Sequence, residues 1–142
     1  MLKKDYILRQ FEEFGKVMAV IFGYKKNNDW VRFELEIEKA LNTFTSFEIN
    51  DLIVRDQESF ESFISKNTQL KPDQIKIMAD LLYERSFISE NKKNDNEMKS
   101  ILKKANFLYE LYSNTLTANE YNLEVRYRID RIKKIILPPN LL

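Results

Sequence analysis

The stretch Met98-Lys99-Ser100-Ile101-Leu102-Lys103-Lys104-Ala105-Asn106-Phe107-Leu108-Tyr109-Glu110-Leu111-Tyr112 decides the fold. Met98, Ile101, Leu102, Ala105, Leu108, Tyr109 and Tyr112 recur at intervals of three and four, so they share one side of an α-helix. Asn94 or Asp95, just ahead of the stripe, supplies a side-chain oxygen for the unpaired N–H groups of the first turn. The polar run Glu90 to Asn96 separates this helix from an earlier one that starts at Pro72, whose missing N–H is harmless in a first turn. That earlier helix carries Ile75, Met78, Leu81, Leu82 and Arg85 and runs to about Ser89. A short polar connection forces neighbouring helices antiparallel, so residues 72–114 read as a helical hairpin.

The N-terminal third repeats the form. Ile7, Phe11, Phe14, Met18 and Ile21 mark a helix from about Lys4 to Tyr24, and Val17, Val20 and Phe22 give it a second apolar side. An apolar surface on two sides points to cover by the rest of the chain or by a second subunit, with Phe14, Met18 and Ile21 as the candidate dimer contact. Gly15, in mid-helix, is expected where another helix approaches closely. After the polar connection Lys25 to Asn28, Asp29 caps a second helix with Trp30, Phe33, Ile37, Ala40, Leu41 and Phe44 on one face, closing a hairpin over residues 4–44. Residues 45–70 carry shorter patterns, Phe47 to Ile53 and then Phe60, Phe63 and Ile64 behind an Asp56 cap. Thr117 and Glu120 read as a capping box for a last helix over 118–136, carrying Tyr121, Val125, Ile129, Ile132 and Ile136 until Pro138 and Pro139 stop it. The expectation is one all-α domain over residues 1–142, of about six helices, stacked as tetratricopeptide-like hairpins.

Composition narrows the chemistry. The 142 residues include no cysteine and no histidine, which removes thiolate nucleophiles, Ser-His-Asp arrangements and ordinary zinc sites. Two glycines and three prolines leave little material for a phosphate-wrapping loop or a strand-rich fold. The apolar run Val17 to Phe22 is far shorter than the roughly 18 residues of a membrane span, and Asp5, Arg9, Glu12 and Glu13 interrupt any secretory h-region. A cytoplasmic, soluble protein without cofactor, bound metal or small-molecule substrate is expected.

Ala40 before Phe44, and Ala105 before Leu108 and Tyr109, match the small-before-large packing of tetratricopeptide repeats. Bulky Leu82 and Tyr83, and the long polar stretch after Ser89, depart from it. The opening Lys3-Lys4-Asp5-Tyr6-Ile7-Leu8-Arg9-Gln10-Phe11-Glu12, the segment Ile37-Glu38-Lys39-Ala40-Leu41, and the pairing of Ala79-Asp80-Leu81-Leu82 with Leu108-Tyr109 resemble a family of small uncharacterised bacterial proteins with tetratricopeptide-like helices, a domain of unknown function. The resemblance implies a helical-repeat protein and brings no activity or assigned residues.

Carboxylates are the abundant catalytic group, and Glu34 with Glu38 and Glu58 with Glu61 each share a helical face. Opposite an apolar stripe such pairs read as solvated surface, so no catalytic or metal-binding residue is assigned. Acidic residues outnumber basic nine to three from Asp29 to Ser62, whereas from position 126 onward Arg126, Arg128, Arg131, Lys133 and Lys134 crowd the last helix against Asp130 alone. That helix is a candidate nucleic-acid contact with Tyr121 and Tyr127 for stacking, although cations near a helix C-terminus also complement its dipole. The acidic and basic regions could equally meet across a subunit boundary. Trp30, Tyr83, Tyr109 and Tyr112 are the aromatics suited to a protein-binding groove. A non-catalytic interaction protein, binding a protein partner or itself, is the leading expectation, with nucleic-acid association the alternative.

Overall fold

The computed structural model describes residues 2–116 and 122–137, with side chains from Asp5 onward. Seven helices, and no strand, occur among them: α1 (Leu2–Lys26), α2 (Trp30–Thr45), α3 (Ile49–Ile53), α4 (Gln57–Lys66), α5 (Pro72–Asn91), α6 (Asp95–Ser113) and α7 (Leu123–Ile136). The count exceeds the expected six because residues 45–70 hold two complete helices.

Local chemistry sets the boundaries. Asp29, Asp56, Asn94 and Asn122 each accept a hydrogen bond from a first-turn N–H of α2, α4, α6 and α7. The α1–α2 turn places Asn28 at φ 56° and the α5–α6 turn places Lys93 at φ 58°, a conformation that asparagine tolerates well and lysine less readily. Two of the expected connections are shorter in the structure. Lys25 belongs to the last turn of α1, where its ammonium meets the Glu84 carboxylate at 2.6 Å, so the helix continues past Tyr24. Similarly α5 extends to Asn91, leaving only Lys92 to Asn94 between it and α6, which removes the long turn that set this pair apart from a repeat. The Thr117–Glu120 capping box, Tyr121, Pro138 and Pro139 lie outside the described residues.

Helix α5 is the centre. It packs against α1, α2 and α6, while α7 lies on α6 and α4 on α6 from another side. Thirteen of its twenty residues are buried, among them Ile77, Met78, Leu81 and Leu82. On α2 the buried residues Phe33, Ile37, Ala40 and Leu41 lie on the expected stripe, and on α6 so do Ile101, Leu102, Ala105 and Leu108. Lys104 is a buried exception: its ammonium donates to the Ile53 carbonyl at 2.8 Å, at the end of α3, and ties the short helices to α6. Desolvation pushes its pKa down, against the pull of Asp56.

Two expectations about α1 change. Phe14, Met18 and Ile21 are buried within their own chain, so these residues need no second subunit to cover them. Phe14 meets Phe44 of α2 edge to face, with ring centroids 5.4 Å apart. Gly15 is exposed, and a Cβ built there meets nothing within 4 Å, so no helix approaches it. No helix among the described residues is long and apolar enough to cross a membrane.

Candidate functional site

Because α5 is wrapped on most sides, its polar residues must find partners inside the protein. Lys76, Asp80, Tyr83 and Phe87 follow one another at intervals of three and four along the side of α5 that α7 crosses. Asp80 is almost fully buried and both its oxygens are engaged. Oδ1 accepts from the Tyr109 hydroxyl and from the Arg128 guanidinium, each at 2.5 Å, and Oδ2 from the Lys76 ammonium at 2.8 Å. Arg128 also donates to the Tyr109 oxygen at 2.9 Å and lies 3.4 Å from Glu124, which sits 3.6 Å from Lys76. Two cations and two carboxylates thus neutralise each other around one phenol.

This closure shapes the titration of each group. Burial, reinforced by Asp80, pushes the Tyr109 phenol well above its ordinary value, and Arg128 only partly opposes it. Burial works against the charge on Arg128, but Tyr109 and Asp80 more than offset it, so the guanidinium is held protonated. Tyr83 is also raised by burial, with Arg131 and Arg128 pulling the other way.

One turn further along α7, Arg131 donates to the Tyr83 hydroxyl at 3.0 Å and lies 5.5 Å above that ring and 5.4 Å above Phe87. From the opposite side the Lys25 ammonium stands 4.1 Å above Phe87 and 5.3 Å above Phe22. Lys25 has its carboxylate, Glu84; among the described residues Arg131 enters no ion pair.

Lys76, Asp80, Glu124 and Arg128 form one side of a cleft of about 470 Å³ between α1 and α7, with α5 as its floor. The α1 wall is apolar, built from Phe11, Phe14, Met18 and Phe22 with Gly15 opening it outward. Lys76 and Asp80 supply the floor, Asn122, Glu124 and Arg128 the far wall, and Tyr112 one end. Phe22 is 40% exposed although its neighbours Met18 and Ile21 are buried, so part of the apolar wall faces open space.

Of the candidate groove aromatics, Tyr112 lines this cleft and Trp30 lies half-buried on α2 against Phe33. Tyr109 is fully buried and cannot line a groove, because its hydroxyl is needed by Asp80 and Arg128; Tyr83 is buried beneath the two arginines. The five basic residues of α7 divide likewise. Arg128 and Arg131 turn toward α5, Lys133 pairs with Glu110 at 3.2 Å, and Arg126 and Lys134 stand in solvent. Glu61 accepts from Gln57 at 2.9 Å, and among the described residues no three acids gather around a possible metal position. Lys25, Lys76, Asp80, Glu124, Phe11 and Phe22 were not among the expected site residues. The available signal was polar Lys76, Asp80 and Glu84, each four apart, inside the mostly apolar run Ile75 to Ile88.

No family model, no curated protein and no solved structure matches this chain.

Proposed function

We propose that this protein is a cytoplasmic, non-catalytic interaction module in which α1, α5 and α7 line the concave side of a tetratricopeptide-like stack. The cleft between α1 and α7 takes a peptide segment of a partner protein. The observation that carries this reading is the open apolar wall, Phe11 to Phe22, facing a polar floor and far wall made of Lys76, Asn122, Glu124 and Arg128. The matching segment presents a large apolar side chain to Phe22 and Gly15, and hydrogen-bonding groups to the polar side of the cleft, where Asn122 and Glu124 stand. Fully burying one such apolar side chain contributes about 1.5–3 kcal/mol, so a cleft of this size supports reversible recognition. The arrangement around Asp80 favours holding over reacting, since both carboxylate oxygens already accept from protein donors.

A peptide library displayed against the purified protein tests the proposal. Selected peptides are expected to carry an apolar or aromatic residue and a polar residue in fixed register. Gly15→Trp, which fills the cleft from a position with open space around it, is expected to abolish their binding while the fold survives. Selection of no peptide, or of peptides indifferent to Gly15→Trp and Phe22→Ser, would remove the reading. The nucleic-acid alternative rests on Arg126 and Lys134, since Arg128, Arg131 and Lys133 have partners within the chain. It requires binding of an oligonucleotide that weakens steeply with salt.

A further inference from the structure

The polar side of the cleft holds two cations whose donors are only partly used. Lys76 and Arg128 both line it, with side chains 14% and 13% exposed. Among the described residues the Lys76 ammonium donates one hydrogen bond, to Asp80, out of the three it can make. The Arg128 guanidinium donates to Asp80 and to Tyr109, both times from Nη1, so Nη2 and Nε have no acceptor among the described residues. The two carboxylates beside these cations are held in different ways. Asp80 lies buried beneath them, with both oxygens in hydrogen bonds. Glu124 is 57% exposed, stands 3.6 Å from Lys76 and 3.4 Å from Arg128, and is hydrogen-bonded to neither. An ion pair that open to solvent contributes about 0–1 kcal/mol, so Glu124 swings away from the first turn of α7 at little cost. Its departure leaves two largely buried cations against the single carboxylate of Asp80, a net positive charge facing the apolar α1 wall.

We propose that the cleft reads a carboxylate carried next to a large apolar side chain, and that Glu124 is the internal stand-in which this carboxylate displaces. The proposal rests on the peptide-binding reading and specifies its ligand. The incoming carboxylate takes the spare donors of Lys76 and Arg128, restoring neutrality with charge-assisted hydrogen bonds in place of two long ion pairs. The adjoining apolar side chain lies across the cleft against Phe11, Gly15 and Phe22. A ligand cation fits less well, because it meets Glu124 with Lys76 and Arg128 directly behind it. Glu124 thus competes with the ligand, and a segment without a carboxylate leaves it in place. A free chain end and an acidic side chain supply the same chemistry.

Nuclear magnetic resonance titration of the isotope-labelled full chain tests it with acetyl-Leu-Phe bearing a free terminal carboxylate, acetyl-Leu-Phe amide and acetyl-Glu-Phe amide. The free acid is expected to bind about tenfold more tightly than its amide, as one charge-assisted hydrogen bond allows, with shifts at Gly15, Phe22 and the first turn of α7. If acetyl-Glu-Phe amide binds as the free acid does, the carboxylate comes from a side chain; if it binds as the neutral amide does, it comes from a chain end. Either result supports the proposal. Glu124→Gln changes an exposed side chain and is expected to tighten the free acid several-fold while leaving acetyl-Leu-Phe amide unchanged. Lys76→Gln is expected to remove the preference for the acid. Weaker or unchanged binding of the free acid to Glu124→Gln would show that Glu124 does not compete with it and would overturn the proposal. Equal binding of all the peptides at the cleft would overturn this inference and leave the peptide-binding reading standing, whereas no shift from any of them at millimolar concentration would remove both.

Discussion

Helices α1 and α5 are the two longest in the protein and are used in opposite ways. Almost every side of α5 is covered, and Asp80, Glu84, Ser86 and Ser89 are buried along with its apolar residues. Three of these polar side chains are answered from other helices: Asp80 by Tyr109 and Arg128, Glu84 by Lys25, and Ser89 by Glu97, whereas Ser86 donates to the Tyr83 carbonyl of its own helix. By contrast, α1 buries Phe14, Met18 and Ile21 and leaves Leu8, Val20 and Phe22 at least 40% exposed. The difference teaches where this fold concentrates its stability and where it leaves room for a ligand. Burial makes an unanswered polar group costly, so α5 is tied to its neighbours residue by residue. Exposure removes that pressure from the outer flank of α1, and apolar side chains stay there without a partner.

The contrast breaks most visibly at Asp80. Asp80→Ala leaves the Arg128 guanidinium and the Tyr109 hydroxyl without their acceptor and is expected to cost about 3–5 kcal/mol, read as a lowered urea midpoint at unchanged slope. A loss below about 1 kcal/mol would mean that Lys76, Arg128 and Glu124 re-pair without it. Next in size, Tyr109→Phe removes the hydrogen bond its hydroxyl donates to Asp80 and the one it accepts from Arg128, which re-pair in part with each other, and is expected to cost about 1.5–3 kcal/mol at neutral pH.

That substitution also changes the response to alkali. The folded Tyr109 holds its proton to higher pH than the unfolded residue, whose ordinary value is 10.0. Its contribution is therefore complete below about pH 10 and is lost as the pH rises from there toward the folded value. Urea midpoints between pH 8 and about 11 should fall steeply in the wild type and less steeply in Tyr109→Phe, with Tyr83 supplying the slope that stays.

On α1 the effects are smaller and one reverses sign. Gly15→Ala meets no neighbour and replaces a poor helix former in mid-helix, so it is expected to stabilise the protein by about 0.5–1 kcal/mol. Loss of stability would place a contact on that flank. Phe22→Ser should shift stability least, by about 0.5 kcal/mol or less given its exposure, while weakening peptide binding in the cleft.

Much of the fold was legible beforehand. The stripe from Met98 to Tyr112, the caps at Asp29, Asp56 and Asn94, and Pro72 in a first turn all report backbone geometry within a few residues, and they marked helices that the structure contains. Errors arose where a distant partner changes a local preference. Lys25 reads as part of a polar turn until Glu84 draws it into the helix. Lys104 carries no local sign of burial, and only the Ile53 carbonyl holds it inside. Tyr109 reads as a groove aromatic until Asp80 and Arg128 enclose its hydroxyl. The candidate site was less legible than the fold for the same reason. Its floor is made of Lys76 and Asp80, which look like an ordinary surface pair on one helix, and its character depends on Arg128 reaching across 48 positions of sequence.

By itself the sequence determined an all-helical chain, its caps and most of its core positions, because periodicity and capping depend on neighbours within one or two turns. Tertiary structure alone decided which charges are spent inside the protein, which face solvent unpaired, and which apolar flank stays open. Those outcomes depend on how helices distant in sequence lie against one another, and burial changes the energetics of a charged or apolar side chain only once that packing is in place.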